Sequence, residues 1–259
     1  MDQYANKGIK DIINQFPGVA RILEDYGIGC GPCTVGICRL KDILDIHRID
    51  KEAEGQLMRR IEVEIYPERG LAGKTLAAPQ PVPAKEIRYS PPMQVLVDEH
   101  TLIKRWLAMI PAVAANLDLS SAAGRQVVED GIDLIRCYAD RLHHGKEEDI
   151  LFTCFDTSAD IFQVVYDDHR QGRGLVQDML RALATKDTEV LASSLRQYAA
   201  LLTEHIHKED ETLFPWLDGQ LTDTEKTELA ARFAEADRNL ALDTAKYRRF
   251  LERLELQGK

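Results

Sequence analysis

Two stretches of this chain repeat each other, and the repeat limits what it can fold into. His143-His144-Gly145-Lys146-Glu147-Glu148-Asp149-Ile150-Leu151-Phe152 and His205-Ile206-His207-Lys208-Glu209-Asp210-Glu211-Thr212-Leu213-Phe214 both fit H-x-x-K-E-[ED]-x-x-L-F. Histidine and glutamate stand four residues apart in each. Four residues advance an α-helix by about 400°, so the two side chains stack on one face. An imidazole and a carboxylate one turn apart make a metal-ligand pair, and the carboxylate can bridge to a second ion held from another helix. Aligning the Lys-Glu and Leu-Phe positions sets His143 and Glu147 opposite His205 and Glu209. His144 and Glu148 form the rival pair at the same spacing, turned about 100° off that face.

The surrounding sequence supplies helices to carry these pairs. After Ser90-Pro91-Pro92, a helix start signal, Met93, Leu96, Val97, His100, Ile103, Leu107 and Ile110 recur at three-to-four spacing. Pro111 is expected to kink or end this helix. Further helices are expected over about 124–152, 159–185 and 189–216. A last one should start at Thr222-Asp223 and run to about Leu254. Strictly alternating β-branched runs are absent. Long helices with short connections imply an all-α, up-down four-helix bundle, followed by a C-terminal helix that covers it. His100 falls in the apolar stripe of the first helix, and His169 sits within Asp167-Asp168-His169-Arg170 of the third. Four neutral imidazoles and two carboxylates suit a redox-active metal such as iron. A Glu-x-x-His pair, the mark of ferritin-like di-iron bundles, is missing: position 140 is Asp, 166 is Tyr and 202 is Leu. Lone histidines mostly lie on surfaces without metal, but four in helix-face positions with a repeated His/Glu pair do not fit that account.

These residues resemble the hemerythrin-like, or HHE, cation-binding domains over roughly residues 90–217. The resemblance implies a four-helix bundle around a non-haem di-iron centre bridged by glutamate and an oxo or hydroxo group. The implied ligands are His100, His143, Glu147, His169, His205 and Glu209. Oxygen-carrying members have a fifth histidine that finds no clear counterpart here, which implies the more open, reactive site of the bacterial relatives; His144 or His207 could serve in its place, and either would fill the open position. The implied function is binding or reduction of NO, O2 or peroxide. The alternative is a non-catalytic sensor of O2, iron or redox state, or an O2-binding module, acting through a protein partner.

Six of the ten prolines lie between Pro67 and Pro92, which marks 67–92 as a linker of partly extended character. The expected organisation is a small helical cysteine-containing domain at 1–66, the linker, the bundle at 93–217 and a C-terminal helix at 218–259. In the first of these, Pro17 can open a helix that ends at Tyr26-Gly27, and another short helix is expected over Lys51 to Ile65. Between them stand Cys30-Gly31-Pro32-Cys33 and Cys38. Ile12-Ile13-Asn14-Gln15-Phe16-Pro17 followed by Tyr26-Gly27-Ile28-Gly29-Cys30 resembles the short domain of bacterial iron–sulfur-centre repair proteins. Those carry a Cys-Cys pair where this chain has Cys-x-x-Cys. Three readings stay open. Cys30 and Cys33 are a redox couple that feeds electrons to the di-iron site; or Cys30, Cys33 and Cys38, with His47, hold an Fe–S cluster or zinc; or the cysteines are structural. An electron donor or an iron–sulfur protein is the partner these readings imply.

Charge and length exclude several classes. The net charge of -10 argues against nucleic acid and against an anionic membrane surface. No apolar run approaches the ~18 residues of a membrane span, and the N-terminus lacks a secretory pattern, so the chain reads as cytoplasmic.

Overall fold

A computed structural model describes residues 2–28, 39–41, 43, 49, 51–67 and 88–257. The candidate thiols Cys30, Cys33 and Cys38, together with His47 and linker residues 68–87, lie outside the described residues. The fold is all-α, with no strand among the described residues. The chain divides into two compact units, one of residues 1–88 with 211–219 and one of residues 89–210 with 220–259.

Within residues 1–88 of the first unit the described helices are α1 (Asp2–Ala5), α2 (Ile9–Gln15), α3 (Gly18–Glu24) and α4 (Lys51–Ile65). Pro17 caps α3 as its sequence suggests. The helix closes at Gly27, whose φ of 74° is open to glycine at little cost. There the Ile28 N–H donates to Leu23 O and the Gly27 N–H to Glu24 O. Ile12, Val19, Leu23, Ile28, Leu57 and Ile61 form a fully buried core.

The second unit is built on α5 (Pro91–Ala115), α6 (Ala122–Asp133), α7 (Asp160–Thr185) and α8 (Thr188–Lys208). Ser121 caps α6 and Asp187 caps α8, each accepting a backbone N–H in the first turn. Pro111 does not end α5. It falls in the last turns, where its missing N–H costs one hydrogen bond, and the helix runs on to Ala115. The second bundle helix is not uniformly α-helical. After α6 it widens into a π-helical stretch, Leu134–His144, and a second one, Glu147–Leu151, before a 3₁₀ turn at Phe152–Cys154. A third π-helical stretch, Glu209–Leu213, follows α8. The latter two stretches fall at equivalent places in the two copies of the repeat. π-Helical windings of this kind are frequent at functional sites.

Next along the chain come α9 (Phe214–Gln220), whose residues up to 219 belong to the first unit, and then α10 (Asp223–Leu240) and α11 (Thr244–Gln257) of the second. A capping box of Thr222 and Glu225 starts α10, where the sequence places it. The single C-terminal helix expected from there to Leu254 is instead two. Ala241 adopts a left-handed conformation, φ 47°, and Asp243 accepts from the Ala245 N–H at 3.1 Å to open α11. No glycine or proline marks this break. Burial drives it, because the turn lets α11 lay Tyr247, Phe250 and Leu251 into the bundle core. Phe250 meets Trp106 with ring centroids 5.5 Å apart.

Close packing between α5 and α6 depends on Gly131. A Cβ there would stand 2.2 Å from Cζ2 of Trp106, which is fully buried. Gly131→Ala should therefore destabilise the unit by roughly 1–3 kcal/mol through overpacking. Gly174→Ala on α7, where a Cβ meets nothing within 4 Å, should be neutral or stabilising by up to about 1 kcal/mol. Chemical denaturation of the two variants side by side checks this.

Candidate metal centre

His100 and His169 lie in the early turns of α5 and α7. His143, Glu147, His205 and Glu209 lie late in the second and fourth helices. Side chains from the starts of odd helices meet those from the ends of even ones only if neighbours run antiparallel. They do meet, and all six are buried, none more than 1% exposed.

They assemble as two groups of donor atoms, each group lying within 4.8 Å of itself: His100, His143, Glu147 and Glu209; and His144, Glu147, His169 and His205. Glu147 belongs to both. Its Oε1 is 3.4 Å from His143 Nε2 and its Oε2 is 3.5 Å from His169 Nε2. Glu209 also spans the two, with Oε2 3.3 Å from His100 Nε2 and 3.2 Å from His205 Nε2. All four oxygens of these carboxylates are buried without a hydrogen-bond partner. Leaving such atoms unsatisfied is costly, and a shared cation would satisfy them. Imidazole nitrogens with carboxylate oxygens are a donor set that fits iron and its neighbours.

His144 is where the structure departs from the sequence expectation. The repeat register puts it about 100° off the ligand face, yet it is buried, stacked on His169 at 3.9 Å between ring centroids, and a member of the second group. A bundle helix faces two neighbours at once, in directions nearly a right angle apart. Successive residues therefore address one neighbour each. His143 leans to His100, at 4.3 Å between centroids, and His144 to His169. Glu148, the other rival, is in neither group; its Oε1 lies 2.6 Å from Nδ1 of His169. His207 is exposed.

Each of the five imidazoles is held from behind by a carboxylate at Nδ1. His100 has Asp210 at 2.7 Å, His143 has Glu99 at 3.1 Å, and His169 has Glu148. His144 has Asp140 and His205 has Asp168, both at 3.4 Å. An ionised carboxylate only accepts, so Nδ1 carries the proton and Nε2 turns its lone pair inward. Those carboxylates are in turn matched by cations. Lys146 reaches Glu99, Lys104 reaches Asp210, Lys208 reaches Asp168 at 2.6 Å, and Arg173 reaches both Asp140 and Glu148 at 2.8 Å. Sequence reasoning missed this outer layer. Its signal was present, because Glu99, Glu148, Asp168 and Asp210 are each the chain neighbour of an inward-facing residue, and the repeated lysine is Lys146 and Lys208.

Burial holds His144 down to about 4, the direction that keeps an imidazole neutral and able to coordinate. His169 is also lowered, by burial and by His144 beside it. Burial opposes charge on His205 as well, but Glu209 and Asp168 outweigh it and push it up to about 10. Burial and the Glu209 charge raise Glu147, whereas His205 and His100 hold Glu209 low despite its burial. A cavity of about 340 Å³ opens on the His144 and His169 side, with Arg173, Val176 and Tyr198 among its walls.

Residues 92–217 match the hemerythrin HHE cation binding domain. This chain carries a hemerythrin HHE domain. Among curated proteins it is similar to an uncharacterized protein of Mycobacterium bovis and to uncharacterized proteins from two strains of Mycobacterium tuberculosis. Each is 23% identical over 168 residues, which cover 61% of this chain and 66% of the relative. No solved structure matches. No described helix is long and apolar enough to cross a membrane.

Because Glu147 is common to both groups, Glu147→Ala should empty the HHE domain of metal. His144→Ala should also lower metal retention. Glu99→Gln, which disturbs only the support behind His143, should weaken binding about 10- to 100-fold. Metal retained against a graded chelator reads all three.

Proposed function

We propose that this chain is a non-haem di-iron protein that binds a small diatomic or peroxide ligand, with NO, O2 and hydrogen peroxide as candidates. The observation that carries the reading is the pair of histidine–carboxylate groups sharing Glu147 beside a cavity. His100, His143, Glu147 and Glu209 would hold one iron, and His144, His169, His205 and Glu147 the other. Bound iron supplies an open coordination position and reversible electron transfer. The protein's own contribution is to fix the imidazoles in one tautomer, keep the donor atoms dry and leave a path to His144 and His169.

A second reading is favoured by His144. A fifth imidazole leaves fewer positions open, which suits reversible binding by an O2-binding module or a sensor that works through a protein partner. Under the first reading the chain serves nitrosative or oxidative stress defence, or iron–sulfur centre repair, in the cytoplasm. Cys30 and Cys33 would then return electrons, or Cys30, Cys33 and Cys38 would hold a cluster or zinc.

The test begins with metal analysis of the full chain purified without oxygen. Two donor groups should give about two irons, and iron beyond that, or zinc, would belong to the cysteines. No iron after reconstitution would overturn the proposal. Multiple turnover of NO or peroxide with an electron donor marks reduction, whereas a reversible spectral change without consumption marks sensing or carriage. If the thiols feed the site, Cys30→Ser and Cys33→Ser should keep the iron spectrum and slow turnover; unchanged turnover removes them from the mechanism.

A further inference from the structure

The cavity beside His144 and His169 is larger than a diatomic ligand needs. Its volume of about 340 Å³ compares with the roughly 30 Å³ that one water takes up in the liquid. It falls at the lower end of the ~300–1,000 Å³ of pockets for organic molecules. Its walls divide by chemistry. Ile135, Val176 and Tyr198 offer an apolar surface, and Arg136, Arg141 and Arg173 supply three positive charges. Asp140 is the one carboxylate of the lining, and Arg173 already neutralises it. Arg136 and Arg141 have no carboxylate partner among the described residues and are exposed. This excess of positive charge stands in a chain of net charge -10, so it is a local feature that runs against the protein's overall field.

The π-helical stretch Leu134–His144 builds it. In an α-helix, residues five apart are turned by about 500°, which sets them some 140° apart. Winding with i→i+5 hydrogen bonds brings such residues back onto one side. Arg136 and Arg141 are five apart, and both line the cavity with Asp140 and His144. Neutral ligands such as O2 and NO have no use for two unpaired guanidinium groups, whereas a guanidinium fork fits a carboxylate or a phosphate, and the apolar wall beside these two favours an organic acid.

We propose that this cavity binds a small organic carboxylate, its anionic end held by Arg136 and Arg141 and its apolar body against Ile135, Val176 and Tyr198. The proposal deepens the functional reading by naming a class of molecule that occupies the His144–His169 side. Binding itself asks only for the folded cavity.

The experiment is calorimetric titration of the full chain, iron-loaded and metal-free, with butyrate and benzoate, against butanol, benzyl alcohol and nitrite. The expected result is saturable one-to-one binding of a carboxylate in both forms of the protein. The double variant Arg136→Ala/Arg141→Ala should weaken it about tenfold or more, the loss of at least one charge-assisted pair. Arg181→Ala, whose side chain pairs with Asp178 outside the cavity, should leave it unchanged. Circular dichroism confirms that each variant stays helical. Absence of saturable carboxylate binding, equal binding by the alcohols, or no loss in the double variant would overturn the proposal. Nitrite binding as tightly as the organic acids would overturn its organic part. The two readings fail separately: two irons without carboxylate binding sinks this inference alone, and carboxylate binding without iron uptake sinks the di-iron reading alone.

Discussion

The structure of the second unit depends on one constraint: buried imidazoles must be aimed. A histidine ring turns about two bonds and offers two nitrogens, so a helix fixes its Cα but not its donor atom. Here the aim comes from a ring of acids that runs around the bundle in one sense. Glu99 on the first helix holds His143 on the second, and Glu148 on the second holds His169 on the third. Asp168 on the third holds His205 on the fourth, and Asp210 after the fourth returns to His100 on the first. Each acid is the immediate chain neighbour of a residue that points inward. Adjacent helical positions diverge by about 100°, so one side chain can face the centre while the next crosses to the neighbouring helix.

The cations complete the same pattern. Lys104, Lys146, Arg173 and Lys208 stand three or four residues after His100, His143, His169 and His205, one turn along on the same face. Each therefore meets the acid that the previous helix sends across. This explains the lysine in the repeat, which has no place among the metal donors. It also ties helix order to chemistry, because changing which helices are adjacent would break every His–acid–cation set at once. Lys146 extends the chain outward: it is buried, and its Nζ also lies 2.6 Å from Asp237 on α10. The C-terminal helix thus touches the support of His143, although residues beyond 217 lie outside the matched domain.

How much of this was legible follows from the range of each interaction. The His/Glu spacing, the helix starts at Ser90 and Thr222 and the cap at Gly27 are local, and the sequence displays them. The inward set of His100, His143, Glu147, His169, His205 and Glu209 was readable because period and repeat agree. A single-face argument treats a bundle helix as if it had one neighbour, and so it can set His144 only as the rival of His143. The partner of each acid depends on which helix comes next around the bundle, which no local pattern states. The π-helical windings leave no compositional trace, and the break at Ala241 lacks the glycine or proline that would announce it. Tertiary burial of Tyr247, Phe250 and Leu251 set that turn, not local preference.

Charge burial on this scale works against stability unless something compensates. Glu147 and Glu209 present four buried oxygens without hydrogen-bond partners, and five imidazoles surround them. Without a cation, protons fill the gap, which is why burial and like charge push Glu147 toward its neutral form while His205 is drawn to its charged one. The outer acids and cations stay matched in either case, since none of them is a donor to the centre. The HHE domain therefore holds its ligands in place before any ion arrives, at a cost in folding free energy that metal binding returns. Preorganisation of this kind puts the tightness of the site in the outer layer as much as in the donors. It also leaves the cavity wall of Arg136 and Arg141, which takes no part in that layer, free to differ without disturbing the metal.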